Sequence, residues 1–218
     1  MLDSLVPGIQ DRTLSPQDRF NVQTDVFALA RAGHVSCCDY LKLLRQAYKH
    51  EDNLTVWKSI VRQLAELNSI FNYATIETTK ELYQAFVCDL LSIICNKLDW
   101  DPMPNEGSQA VMLRSLVLIE MGVNQHHRTC DEARKRFVKL LAEDQSKDDE
   151  HAHHPHTINP NVRAAIYIAV AKAGNQQTFD QLTSVRTGTS GVHCDKTGSI
   201  QLCSSIAKPI RKKNAFAC

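Results

Sequence analysis

Residues 55–71, TVWKSIVRQLAELNSIF, decide the fold class. Trp57, Ile60, Val61, Leu64, Leu67 and Phe71 follow i, i+3, i+4, i+7 spacing, which lays a single apolar stripe along a helix and fits no strand. The same period continues downstream through Tyr83, Val87, Leu90, Ile94 and Leu98, and upstream through Cys37, Leu41, Leu44 and Tyr48. Before these, Ser15-Pro16 reads as a helix start, with Ser as the cap and Pro at the first helical position. Phe20, Phe27 and Ala30 form its stripe, and Gly33 closes it. These four predicted helices pair as two hairpins.

The loop DWDPMPNEG (99–107) then breaks the period, because Pro102 and Pro104 bias the residues before them away from helix. A fifth predicted helix, SQAVMLRSLVLIEMG (108–122), is apolar almost all round and is expected to be buried between neighbours on several sides. A sixth, TCDEARKRFVKLLAED (129–144), is amphipathic with Thr129 as its cap. The seventh, within NPNVRAAIYIAVAKAG (159–174), turns Val162, Ile166, Ala169 and Ala173 inward and ends at Gly174. An eighth begins in QQTFDQL (176–182). From Thr183 onward the chain loses its period and is rich in Ser, Thr and Gly, so a disordered tail is expected over 183–218. The predicted architecture is all-α, with antiparallel helix pairs stacked as a truncated α-solenoid of the HEAT or armadillo kind, and no strict sequence repeat.

Composition names no partner. The 218 residues are 43% hydrophobic and 22% charged with a formal net charge of +1, so no global field draws the chain to nucleic acid or to an anionic membrane. The start MLDSLVPGIQ lacks the basic and apolar regions of a signal peptide, and the chain reads as cytosolic. Of the eight cysteines, Cys37 and Cys38 are adjacent, Cys88 and Cys95 sit in an apolar helical pattern, and no C-x-x-C occurs; reduced thiols are expected.

The residues that suggest chemistry each have a plainer reading. HAHHPH (151–156) places four imidazoles in six positions, but in a polar loop that offers no rigid frame for a metal, and no zinc ligand is assigned. His126 and His127 are likewise read as loop residues. Neither G-x-S-x-G nor a glycine-rich phosphate loop is present. Arg114 lies within the apolar fifth helix with Ala110, Val117 and Leu118 at i−4, i+3 and i+4, so its charge needs a partner from elsewhere: a structural carboxylate or the carboxylate of a bound peptide. Arg163, in the first turn of the seventh helix, carries the same two readings. Trp57 and Trp100 are read as packing residues, and the terminal RKK (211–213) as a short basic run or a localisation signal.

Several segments, taken in order, resemble one family. MLDSLVPGIQDRTLSPQDRFNVQTDVFALARAG, TVWKSIVRQLAEL, LDWDPMPNEGSQAVMLRSLVLIEMG, EARKRF and NPNVRAAIYIAVAKAGNQQTFDQL are similar to the endoplasmic-reticulum-aminopeptidase-like C-terminal helical domain of the zinc aminopeptidases, in its puromycin-sensitive branch. The specific parts are Asp18, Arg19, Asp25, Phe27, Leu29, Ala30 and Gly33, and WDPMPNEG leading into LRSLVL. The resemblance covers residues 1–182. It implies residues 1–14 as a linker from a β-sandwich domain, residues 15–182 as a partial helical domain, and an unmatched tail from 183. Met1 then corresponds to an internal methionine of a longer parent, and the tail to a mis-spliced or alternative terminus.

In the family, the helical domain closes over the active site of a thermolysin-like domain bearing G-A-M-E-N and H-E-x-x-H. Neither motif occurs here, so no catalytic residue is carried over and the zinc belongs to the parent's catalytic domain. The resemblance implies a substrate-enclosing domain, inactive alone, with peptide as the partner. An uncapped helical face would favour self-association. A stand-alone scaffold binding a protein partner is the alternative, and an enzyme built on the histidine loop the third. HAHHPH itself fits an insertion between the sixth and seventh predicted helices.

Overall fold

The computed structural model describes residues 2–73, 77–145, 158–175, 177–178 and 180–182, and all regular structure among them is helical. The helices are α1 (Leu2–Gln10), α2 (Pro16–Arg31), α3 (Cys37–Ala47), α4 (Leu54–Tyr73), α5 (Glu77–Leu98), α6 (Ser108–Val123), α7 (His127–Gln145) and α8 (Pro160–Ala173). The histidine loop and the expected disordered tail lie outside the described residues. Of the expected eighth helix, positions 177–178 and 180–182 are helical. The chain divides into two units, 1–117 and 118–218, with the division falling inside α6.

Capping residues set the helix starts. Ser15 Oγ accepts from Asp18 N at 3.2 Å while Asp18 Oδ2 accepts from Ser15 N at 3.2 Å, a reciprocal box ahead of Pro16. Ser36 caps α3 by accepting from Cys38 N, and Asn159 caps α8 by accepting from Asn161 N. Gly33, at φ +77°, ends α2, and His34 N there donates to Leu29 O at 2.9 Å.

In the first unit α2 packs against α3 and α4, α1 against α3, and α4 against α5. Trp57, Ile60, Val61, Leu64 and Leu67 of α4 and Tyr83, Val87, Leu90, Leu91 and Ile94 of α5 are buried, as their spacing requires. Each such side chain taken from water stabilises the fold by roughly 1.5–3 kcal/mol.

Elsewhere the buried faces depart from the apolar pattern. On α2 the buried residues are Arg19, Gln23, Val26 and Phe27, while Phe20 and Ala30 are half-exposed. The buried stripe of α3 is Tyr40, Leu43, Leu44, Ala47 and Tyr48 rather than one running through Cys37 and Leu41. In α6, Met112 is exposed, so that helix is not enclosed on every side, and Ala173 of α8 is exposed as well. Residues 2–10, read from sequence as part of a linker, form α1 despite Pro7 and pack on α3.

The reason for the polar face of α2 is an ion pair. Arg19 Nε and Nη2 donate to Glu51 Oε2 and Oε1 at 2.7 and 3.0 Å, and Nη1 donates to Leu14 O at 2.7 Å. Tyr48 Oη donates to Arg19 O at 2.7 Å, and Trp57 Nε1 donates to Glu51 O at 2.9 Å. The hydrogen bond Arg19 donates to Glu51, with that carboxylate's negative charge, outweighs burial and holds the guanidinium above its ordinary pKa.

In the second unit α7 packs on α8. Cys130, Ala133, Phe137 and Leu140 are buried on α7, and Val162, Ala165, Ile166 and Ala169 on α8. Gly122 of α6 meets Ala169 so closely that a Cβ on the glycine would lie 2.9 Å from the alanine's Cβ.

Replacing Glu51 by Gln should lower unfolding free energy by about 3 kcal/mol, because Arg19 would remain buried without its countercharge. Urea denaturation followed by circular dichroism measures this; a loss within about 0.5 kcal/mol, as at ordinary surface sites, would contradict it.

Candidate functional site

The two arginines singled out from sequence lie in different settings. α5 ends at Leu98, and Asp99 follows in the left-handed region at φ +50°, with Asp99 N donating to Cys95 O at 3.0 Å. Trp100, only 6% exposed, pins the loop behind it, as expected of a packing residue. The Arg114 guanidinium reaches back from α6 to this corner. Its Nε donates to Leu98 O and Asp99 O, each at 3.0 Å, and Nη1 and Nη2 donate to the two carboxylate oxygens of Glu106.

Arg114 is 1% exposed, so of its two readings the structural carboxylate is the one its contacts make. Its charge also lies at the negative end of the α5 dipole, where a cation is favoured. The hydrogen bond from Arg114 holds the Glu106 carboxyl below the usual carboxylate range. Glu106 lies eight residues before Arg114, in the loop rather than on the helix, where a search at helical spacings does not reach. It was nevertheless present in WDPMPNEG, directly ahead of the segment that holds the arginine.

Arg163 is half-buried at the start of α8. Its Nη2 lies 3.5 Å from Ile158 O, and its buried Nε has no hydrogen-bond partner. A second charged group in the same unit, which sequence reading passed over, is Glu120 on α6. Burial pushes its carboxyl up to about 7. His127 opens α7 instead of lying in a loop, with Nδ1 2.9 Å from Asp131 Oδ2, and His126 Nδ1 meets Thr129 Oγ1 at 2.9 Å just before it. Burial, with Arg128 and His127 nearby, lowers the His126 pKa. Among the described residues no three His, Cys, Asp or Glu side chains converge as a metal site, and none of the five described cysteines forms a disulfide. No helix among the described residues is long and apolar enough to cross a membrane.

Among the described residues all regular structure is helical, Arg114 serves the end of α5, and there is no catalytic constellation. The family model of the ERAP1-like C-terminal domain matches residues 1–208, past the point where the quoted segments end, and the chain belongs to that family. It is similar to aminopeptidase 2 of Candida albicans, at 24% identity over 202 residues, which are 93% of this chain and 20% of that protein. Puromycin-sensitive aminopeptidase of Caenorhabditis elegans is 27% identical over 190 residues, 87% of this chain and 19% of the relative. Aminopeptidase M1 of Arabidopsis thaliana is 30% identical over 178 residues, 80% of this chain and 19% of the relative. The chain thus spans about a fifth of the length of these relatives.

Two pH effects follow. The Glu106 carboxyl has a lowered pKa, so the stability it contributes is present above its ordinary value of 4.5 and disappears as pH falls below that. Glu106→Gln should therefore flatten the acid limb of a melting-temperature profile. The Glu120 carboxyl has a raised pKa, so its contribution is full below 4.5 and is lost as pH rises through about 7. Glu120→Gln should melt higher than wild type at pH 8 and no higher at pH 4; an equal offset at both would show that the carboxyl does not titrate this way.

Proposed function

We propose that this chain is the substrate-enclosing helical domain of a cytoplasmic zinc aminopeptidase, its helix pairs stacked as an α-solenoid. The observation that carries the reading is the family match over residues 1–208, together with relatives that are all named aminopeptidases. The chain has neither H-E-x-x-H nor G-A-M-E-N. In this reading the zinc and the hydrolysis belong to a thermolysin-like domain, and the helical domain bounds the space in which peptides are held.

The partner is then a peptide, with no role for nucleic acid or membrane. Arg163 is the better placed of the two contact candidates, since its guanidinium is only half-buried and Nε lacks an acceptor. Arg114 acts indirectly, by fixing the α5–α6 corner. Where a helical face of the array is left uncovered, copies of the chain would associate through it.

Co-expression with a puromycin-sensitive aminopeptidase truncated after its β-sandwich domain tests the proposal. The two polypeptides should co-purify, and hydrolysis should regain its dependence on peptide length. The 218-residue chain alone should release nothing from an aminoacyl chromogenic substrate with zinc added. Turnover by the chain alone, or failure to co-purify, would overturn the assignment.

A further inference from the structure

The adjacent thiols of the sequence, Cys37 and Cys38, occupy the first two positions of α3, one half-buried and the other exposed. Ser36 Oγ accepts from Cys38 N at 3.1 Å, so the backbone that carries both thiols is held as a regular first turn. In a helix interior χ1 near +60° is rare, because the side chain would strike the preceding turn. No turn of α3 precedes these two residues, and the rotamers that swing the two sulfurs toward one another are open to them.

The other described cysteines do not make such a pair. Cys88 and Cys95 lie seven residues apart on α5, about 10 Å along the axis at 1.5 Å per residue, and cannot hold one atom together. Cys130 is buried on α7.

What two neighbouring thiols can hold follows from their spacing. A disulfide between them is strained, since adjacent Cα atoms stand about 3.8 Å apart and disulfides ordinarily need at least about 4.4 Å. Structural zinc takes four ligands, and no third His, Cys, Asp or Glu converges on the pair among the described residues. A linear two-coordinate ion asks for sulfurs on opposite sides of the metal, which neighbours on one turn do not offer. A pyramidal, thiophilic centre fits better. Its larger atom between the sulfurs relaxes the strain of a direct bond, and its third substituent leaves toward solvent past the exposed Cys38. Burial, and after it the charge of Cys38, raises the Cys37 pKa, so that residue stays a protonated thiol at neutral pH. This suits a ligand that condenses with thiols more than one that needs a thiolate.

We propose that Cys37 and Cys38 form a binding site for trivalent organoarsenicals of the type RAs(OH)2. Two As–S bonds replace two As–O bonds, and each hydroxyl leaves with one thiol proton as water. Arsenic stays trivalent, so the step needs neither oxidant nor reductant. The site is built within one helix turn and does not rest on the aminopeptidase reading.

Phenylarsine oxide, which hydrates to this form in water, tests the proposal on the reduced full chain. After one equivalent of the arsenical and then about 0.1 mM glutathione, mass spectrometry should find one phenylarsenic group per chain, because the second thiol acts at an effective concentration in the millimolar range that this monothiol does not match. The dithiol 2,3-dimercaptopropanol should remove the group. Cys37→Ser and Cys38→Ser should each lose the glutathione-resistant adduct, and Cys88→Ser should keep it. If Cys37→Ser loses helical circular dichroism, Cys38→Ser, at an exposed position, decides alone. An adduct stripped from the wild type by glutathione, resistant to the dithiol, retained by Cys38→Ser or lost by Cys88→Ser would overturn the proposal.

Discussion

A guanidinium withdrawn from water must be met by a countercharge and by acceptors for its remaining donors, and the α2–α3–α4 corner is arranged around that demand. Glu51 receives Arg19 through both carboxylate oxygens, and one of them also accepts from the backbone of Asp52 and Asn53 ahead of α4. Its own carbonyl holds the Trp57 indole, and Trp57 is fully enclosed in the core of the same unit. Glu51 therefore sets the entry of α4 and the polar face of α2 through its carboxylate, and holds the Trp57 indole through its backbone carbonyl. Removing that carboxylate would leave a buried charge, several buried donors and a misdirected helix start.

The Arg114–Glu106 pair repeats the device at the next corner. In each case the acid lies in the loop just ahead of a helix, and no carboxylate stands three or four residues from the arginine on its own helix. Each pair ties an irregular segment to a helix end through charge-assisted bonds, and at the second corner the buried Trp100 adds apolar contact. The second unit lacks this closure at two places: Glu120 carries a burial-raised carboxyl, and the Arg163 Nε has no acceptor. Both lie in a unit where α7 and α8 pack through apolar side chains, with Phe137 and Tyr167 in edge contact.

Sequence period located the apolar stripes of α4 and α5, although Ser59 and Gln63 are buried on α4 as well. α2 resisted this reading because its buried stripe begins with Arg19 and Gln23, which a hydrophobic pattern assigns to solvent. α1 was not anticipated, because the family resemblance implied residues 1–14 as a linker, and Pro7 and Gly8 stand within the helix. The glycine instead brings α1 close to the returning chain, where Leu14 N donates to Gly8 O at 3.0 Å. Arg114 was legible as a charge in need of a partner, since its helical neighbours are all apolar. Its partner was not, because Glu106 approaches through a loop whose path two prolines and two left-handed residues determine.

The contact between Gly122 and Ala169 works in the opposite way to these pairs. The separation of α6 and α8 at that point is governed by an atom that is missing, and a single methyl group on residue 122 would fall 2.9 Å from Ala169 Cβ and 3.2 Å from its Cα. Neither position belongs to a flexible side-chain tip, so the alanine cannot swing aside. The glycine therefore acts as a gauge of helix spacing: any side chain there would push the two axes apart and open the surrounding aliphatic layer to water.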